Sequence, residues 1–284
     1  MAEIAPVQKN ETYEMTITDM THEGAGVGKV NGFTLFVPDA LPGEVAEVKV
    51  INVKKTYGYG KKLRILKQSP ERVDPPCEIY GRCGGCQLQH LSYRGQLDYK
   101  QKQVKDALAR IGGLDHIEVL PVLGMEEPWN YRNKAQVPVA TDEKGELIAG
   151  FYQKRTHRII EMDHCLIQDS TNDEVIQEVK RIAKECGIMP YDEKHHKGIL
   201  RHIVVRVGRV SGELMVILVT KGQDLPFRKK FIQALPKKFP QIKSIVQNIN
   251  SRRTNTIFGD ETRTLWGRDV IYDQIGSVKF AISA

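Results

Sequence analysis

PPCEIYGRCGGCQLQH, residues 75–90, sets Cys77, Cys83 and Cys86 in a C-x5-C-x2-C spacing. Gly81, Gly84 and Gly85 stand among them, and glycine lets a backbone turn tightly enough for several sulfurs to face one point. Three thiols so close read as a metal or cluster loop. A tetrahedral metal or a cubane needs a fourth ligand, and Cys165 in EMDHCLIQ is the candidate. Structural zinc usually comes with two short pairs of ligands, whereas three cysteines plus a remote one is the habit of [4Fe-4S] cubanes. The spacing favours the cluster and leaves zinc, or redox-active or unliganded thiols, open. His90 and His164 read as hydrogen-bonding neighbours of the site.

Upstream of this loop the chain reads as short strands. Tyr13–Met20 alternates apolar and polar positions, and Phe33–Val37, Val45–Val53 and a strand near Lys61–Leu66 follow. About five strands at this spacing predict a small closed barrel, because closure removes exposed edges. GAGVGKV is one residue short of a phosphate loop and has Val30 where Ser or Thr is needed; it also misplaces the third glycine of a dinucleotide loop. Glu23–Lys29 therefore reads as a turn.

Downstream, Leu97, Val104, Leu108 and Ile111 recur at helical spacing, predicting a helix over residues 93–111 that stops at Gly112. Strands are expected at Ala135–Val139, Leu147–Gln153 and Arg158–Glu161, the last leading to Cys165. A helix over Thr171–Cys186 has Ser170 and Asp173 as its capping box, with Cys186 on its buried stripe as a small hydrophobe. A hairpin of Ile199–Val207 and Glu213–Thr220 follows. A short helix near Phe227–Leu235 is expected to end at Pro236, and strands at Ser244–Asn250, Val270–Ile275 and Val278–Ile282 close the chain. The fold class is α+β: an OB-like barrel over residues 1–68, then a cysteine-bearing α+β domain over 69–284.

Composition narrows the function. The chain has 284 residues, 40% hydrophobic and 27% charged, with five cysteines and a net charge of +7. An odd, clustered set of cysteines fits a reducing compartment. Its longest apolar run, Leu214–Val219, falls far short of the roughly 20 residues of a membrane span, and the polar start MAEIAPVQKNE carries no secretory signal. A cytoplasmic monomer without a membrane partner is expected. Residues 49–67 hold seven basic residues and no acid, and residues 225–243 hold six and no acid. Together they exceed the whole net charge, so the remaining chain is acidic and a polyanion partner is implied. Tyr57 and Tyr59 lie among the first set of bases, a mixture suited to single-stranded RNA. The RNA contacts proposed from sequence are Lys54, Lys55, Tyr57, Lys61 and Lys62, then Arg132 and Lys134, and more weakly Asn250, Arg252 and Arg253.

CEIYGRCGGCQLQHLSYRGQLDYKQ resembles the cluster motif of the RNA (uracil-5-)-methyltransferases, the 23S ribosomal RNA branch in particular. WNYRNKAQVPV (129–139), GFYQKRTHRIIEMDHC (150–165) and QNINSRRTNTIFG (247–259) are similar to further blocks of that family, and the GAGVGKV barrel resembles its TRAM module. The resemblance implies a [4Fe-4S] cluster on Cys77, Cys83, Cys86 and Cys165, and methyl transfer from S-adenosylmethionine to uracil C5 in 23S rRNA. Such a reaction uses a cysteine nucleophile and a base. No cysteine follows Cys186 and no glycine-rich strand–turn–helix is evident, so no catalytic residue is identified. The expectation is therefore of an RNA-binding, cluster-bearing portion without the S-adenosylmethionine-binding catalytic domain, inactive by itself. In relatives the 93–111 helix would pack on that domain. A stand-alone RNA-binding protein and a zinc-stapled interaction module are the alternatives.

Overall fold

The computed structural model describes residues 6–284, so Met1–Ala5, the start of the expected barrel and of the polar N-terminus, lie outside the described residues. The chain divides into two compact units. One comprises Met1–Tyr80 with Cys86–Glu126, the other Gly81–Gly85 with Glu127–Ala284.

The first unit is built on β1 (Thr12–Met20), β2 (Gly26–Val30), β3 (Phe33–Val37), β4 (Val45–Val53) and β5 (Tyr57–Lys67), closed in the order β1-β2-β3-β5-β4. The expected barrel is present. Its interior is the alternate set of each strand, including Ile17, Leu35, Val37, Val48 and Val50, all fully buried. Each such side chain contributes about 1.5–3 kcal/mol through removal from water. GAGVGKV is corrected from turn to strand, since its last five residues are the whole of β2. A Cβ on Gly26 would lie 2.7 Å from the Ala40 carbonyl oxygen, and one on Gly28 2.3 Å from that of Thr16. These glycines serve close backbone packing in the barrel wall, which a turn reading misses.

Below the barrel, buried Glu44 accepts from Arg72 Nε at 2.5 Å and Nη2 at 2.9 Å, and from the Leu41 amide at 2.9 Å. Burial alone would raise the Glu44 pKa; its hydrogen bonds and the guanidinium charge bring it below the ordinary carboxylate value. Helix α1 (Tyr93–Arg110) starts at Ser92, whose hydroxyl accepts from the Gly95 amide. Its anchor is Tyr99, which packs with Met20, Leu41 and Leu91 and donates its hydroxyl to the Met20 carbonyl at 2.9 Å. Of the stripe read from the sequence, Val104 and Ile111 are exposed.

The second unit is a seven-stranded mixed sheet, ordered β12-β11-β10-β9-β6-β7-β8. Its strands are β6 (Lys134–Thr141), β7 (Leu147–Tyr152), β8 (Ile159–Glu161), β9 (Leu200–Val207), β10 (Leu214–Thr220), β11 (Ile242–Ile249) and β12 (Glu261–Gly267). All seven β10 residues are buried, which requires cover on both faces. Val204, Met215, Ile217 and Val246 pack with Ile257, Phe258 and, from the hairpin of β13 (Ile271–Ile275) and β14 (Val278–Ile282), with Ile271 and Ile282. Helix α2 (Ser170–Glu185) packs on β7 and β9, and α3 (Arg228–Lys238) on β11.

Three details differ from expectation. The N-cap of α2 is Asp169, accepting from the Thr171 amide; Asp173 turns instead to accept from the Cys165 amide at 2.8 Å. Pro236 lies inside α3, which continues to Lys238 and closes through the Phe239 amide on the Leu235 carbonyl. In the last turn a proline removes only one ladder bond, so the helix survives it. β12 escapes sequence reading because this edge strand has no buried residue to print an alternation. Cys186 caps α2 and is buried, as its place on the stripe predicts.

Candidate nucleic-acid interface

The parallel pairing of β3 with β5 sets Phe36 opposite Tyr59 and Thr34 opposite Tyr57. Inward positions of β5 are Gly58 and Gly60, and outward ones are Tyr57 and Tyr59. A Cβ on Gly60 would come within 2.2 Å of Val48 Cγ1, and one on Gly58 within 2.8 Å of the Asn52 carbonyl. The alternating YGYG thus closes the barrel on one side and raises rings on the other. Tyr57 and Tyr59 stand edge to face at 5.7 Å between centroids; Phe36 lies 5.5 Å from Tyr57 and 5.9 Å from Tyr59. Tyr59 keeps 37% of its surface exposed.

Lysines flank Tyr57 and Tyr59 along the chain. Lys54 and Lys55 are exposed in the β4–β5 turn, held by the Lys54 amide donating to the Tyr57 carbonyl at 2.8 Å. Lys61 is exposed two residues beyond Tyr59 and shares its parity, while half-buried Lys62 donates to the Asp39 carbonyl. Aromatic faces edged with ammonium groups can stack bases and hold phosphates together. Phe36 has no local signal in the sequence, because nothing there announces that β3 pairs with β5; Tyr59, visible among the bases in the sequence, joins the group through its ring contacts.

In the second unit Arg132 is exposed before β6, its backbone bonded to Ile167 and Asp169, and Lys134 is the exposed first residue of β6. Asn250 is buried, donating its amide to the carbonyls of Thr256 and Ile257 at 2.7 and 3.1 Å. It shapes the loop that presents Arg252 and Arg253, both exposed; Arg252 pairs with Asp260.

Cys77 and Cys86 belong to the first unit, Cys83 and Cys165 to the second. The Cys83 segment pairs with Gln153 just beyond β7, the Gly84 amide donating to Tyr152 and the Lys154 amide to Arg82. The Gly85 amide donates to Cys83 Sγ at 3.3 Å. Burial raises the Asp173 pKa to about 6 against the Cys165 amide it accepts. His90 is buried with Nδ1 2.6 Å from the Tyr80 hydroxyl, and burial with the Arg72 charge lowers its pKa to about 4. Among the described residues, no three His, Cys, Asp or Glu side chains converge as a metal site.

Residues 6–63 match the TRAM domain, which coincides with the β1–β5 barrel apart from the end of β5. An uncharacterized RNA methyltransferase of Halalkalibacterium halodurans is 58% identical over 280 residues, covering 99% of this chain and 61% of the relative. One of Listeria innocua is 50% identical over 99% of this chain and 62% of its own length. The crystal structure of Pyrococcus abyssi tRNA (uracil-54, C5)-methyltransferase with S-adenosyl-L-homocysteine superposes with a TM-score of 0.69 at 27% identity, covering 95% of this chain and 59% of that one. The chain spans about three fifths of the length of these relatives.

These matches overturn the expectation of an inactive portion lacking its catalytic domain, and with it the two non-catalytic alternatives. Similarity to proteins named RNA methyltransferases runs over nearly every residue, and where the chain ends is no measure of its activity. Over 99% of its length the chain is similar to RNA methyltransferases, with a TRAM domain at its N-terminal side.

Proposed function

We propose that the protein is an S-adenosylmethionine-dependent RNA methyltransferase acting on a uracil C5, with the barrel's aromatic face as an RNA-binding surface. The observation that carries the RNA reading is the Phe36–Tyr57–Tyr59 group edged by Lys54, Lys55 and Lys61. The methyl-transfer reading rests on the relatives and on the archaeal structure's bound S-adenosyl-L-homocysteine. When bound, S-adenosylmethionine supplies the methyl group; the residues described here bind and orient RNA. The substrate proposed from the cysteine-loop resemblance is 23S rRNA. The test is transfer of label from S-adenosylmethionine to in vitro transcribed 23S rRNA, with tRNA as the second arm. Label in uracil C5 of rRNA is expected; label in tRNA alone would replace the substrate, and label in neither would overturn the reading.

The finer proposals concern cofactor and organisation. Cys77, Cys83, Cys86 and Cys165 would hold a [4Fe-4S] cluster, which would tie their segments together. A donor set of four thiols suits it, as does the Gly85 amide on Cys83 Sγ, because N–H donors stabilise thiolate sulfur. Anaerobic purification should give a brown protein with about four irons per chain; a colourless, iron-free protein would refute the cluster. The domain division proposed is 1–68 and 69–284, with Val104 and Ile111 of α1 exposed. A monomer in the cytoplasm is proposed; no helix among the described residues is long and apolar enough to cross a membrane.

A further inference from the structure

The second unit contains a cleft of about 610 Å³, within the range of about 300–1,000 Å³ usual for small-molecule sites. Its lining runs from Pro138–Thr141 of β6 and the ends of β7 and β8 to the turn after Tyr191 and the start of β9. We propose that this cleft receives one unstacked nucleobase of the RNA, a proposal that rests on the RNA-binding reading above.

The walls suit a flat, uncharged, partly polar ring. Tyr152, with His157 edge-on at 5.8 Å, and Tyr191 supply aromatic surface. Val139, Ala140 and Ile159 supply aliphatic surface. Carboxylates at the cleft are internally engaged: Glu193 accepts from Tyr152 at 3.1 Å and pairs with His157 at 3.3 Å, and Asp192 pairs with His195 at 2.6 Å. Lys194 and Arg201 share the lining with these two carboxylates, so with neutral histidines the cleft carries no net formal charge, unlike a phosphate or metal pocket.

A polar group without a partner stands in the wall of the cleft. His202, only 7% exposed, lines the cleft, and its Nδ1 is buried without a hydrogen-bond partner. A buried polar atom left unsatisfied costs about 1–3 kcal/mol, so a base edge that draws the ring toward the cleft and pairs with it gains specificity. Neutral imidazole can donate or accept through Nδ1 according to its tautomer, as a base edge requires.

The surroundings supply the phosphate contacts that a base needs to arrive on RNA. Arg201 lies 4.4 Å over the Tyr191 ring and donates to the carbonyls of Asn250 and Arg252 at 2.7 Å and of Thr254 at 3.2 Å. It thereby fixes the loop carrying exposed Arg252 and Arg253 to the wall of the cleft. Burial first, then the charges of Lys221, Arg253 and Arg201, lower the pKa of His196, the ring partner of Tyr191. Aromatic pocket and basic rim together form the arrangement that holds a splayed-out base.

The test uses the chain with 23S rRNA transcript as probe, and compares wild type with Ala140→Trp, which fills the cleft, and Tyr152→Leu, which removes a ring while keeping bulk. RNA affinity should fall about 5- to 150-fold in each, the value of one stacked base, with the salt dependence unchanged. With 4-thiouridine in the transcript, photocrosslinks should map to Tyr152, His157 or Tyr191 in wild type and disappear in Ala140→Trp. If wild type binds RNA but the variants bind equally tightly and no crosslink falls in the cleft, the cleft proposal is overturned and the RNA reading stands. If wild type does not bind RNA, the RNA reading itself fails. Should Ala140→Trp misfold, Tyr152→Leu and the wild-type crosslinks still decide.

Discussion

Tyr59→Ala separates stacking from charge on the barrel surface. The side chain is 37% exposed and its ring lies 5.7 Å from Tyr57 and 5.9 Å from Phe36. Its removal leaves the Phe36–Tyr57 edge-to-face pair at 5.5 Å and every inward residue in place but loses two ring contacts, so folding should weaken by about 1–3 kcal/mol and the barrel should remain closed. A base stacked on this ring is worth about 1–3 kcal/mol, so affinity for single-stranded RNA should fall about 5- to 150-fold. No charge is removed, so the slope of log affinity against log salt should hold. Lys54→Ala with Lys55→Ala should do the converse, reducing that slope by about 1.4 if each lysine neutralises one phosphate of a single strand. Fluorescence anisotropy over a salt series reads both quantities. Tyr59→Ala binding RNA as tightly as wild type, or altering the salt slope by about a unit, would refute the stacking role.

Three further outcomes follow from packing and burial. Gly60→Ala places a methyl 2.2 Å from Val48 Cγ1 in a closed barrel and should destabilise the chain by about 1–3 kcal/mol in chemical denaturation, whereas Gly81→Ala, with nothing within 4 Å, should be near neutral. Arg72→Ala leaves the Glu44 carboxylate buried without its bidentate partner and should cost about 3–5 kcal/mol, measured by urea unfolding at neutral pH. His202 is held neutral by burial and by the nearby Arg201 charge, its pKa lowered from 6.5 to about 4. A depressed histidine favours the unfolded state on protonation, so its stability is whole above pH 6.5 and is lost, to about 3 kcal/mol, as pH falls to 4. His90 adds a loss of the same sign, and His202→Gln should remove the His202 share from the pH dependence of the melting temperature.

The sequence determined the parts whose signal is local. Alternation announces β1, β3 and β4 because one face of each is buried, and helical spacing announces α2 for the same reason. The YGYG stretch shows its aromatics among lysines without any knowledge of the fold, and the cysteine loop shows its ligand candidates by spacing alone. Edge strand β12 and glycine-rich β2 stayed hidden: one buries no residue, and the other draws its meaning from the Ala40 and Thr16 carbonyls that its glycines must approach.

Only the tertiary structure decided which distant residues meet. Phe36 joins Tyr57 and Tyr59 through the parallel pairing of β3 with β5, more than twenty residues apart, and no local pattern encodes that register. The buried Asn250 amide bonds to Thr256 and Ile257 across its loop, and Arg201, without a signal in the sequence, links Tyr191 to the 250–254 loop. Periodicity reports which face of an element leaves water; partners across a sheet are set by register and closure, which belong to the whole chain.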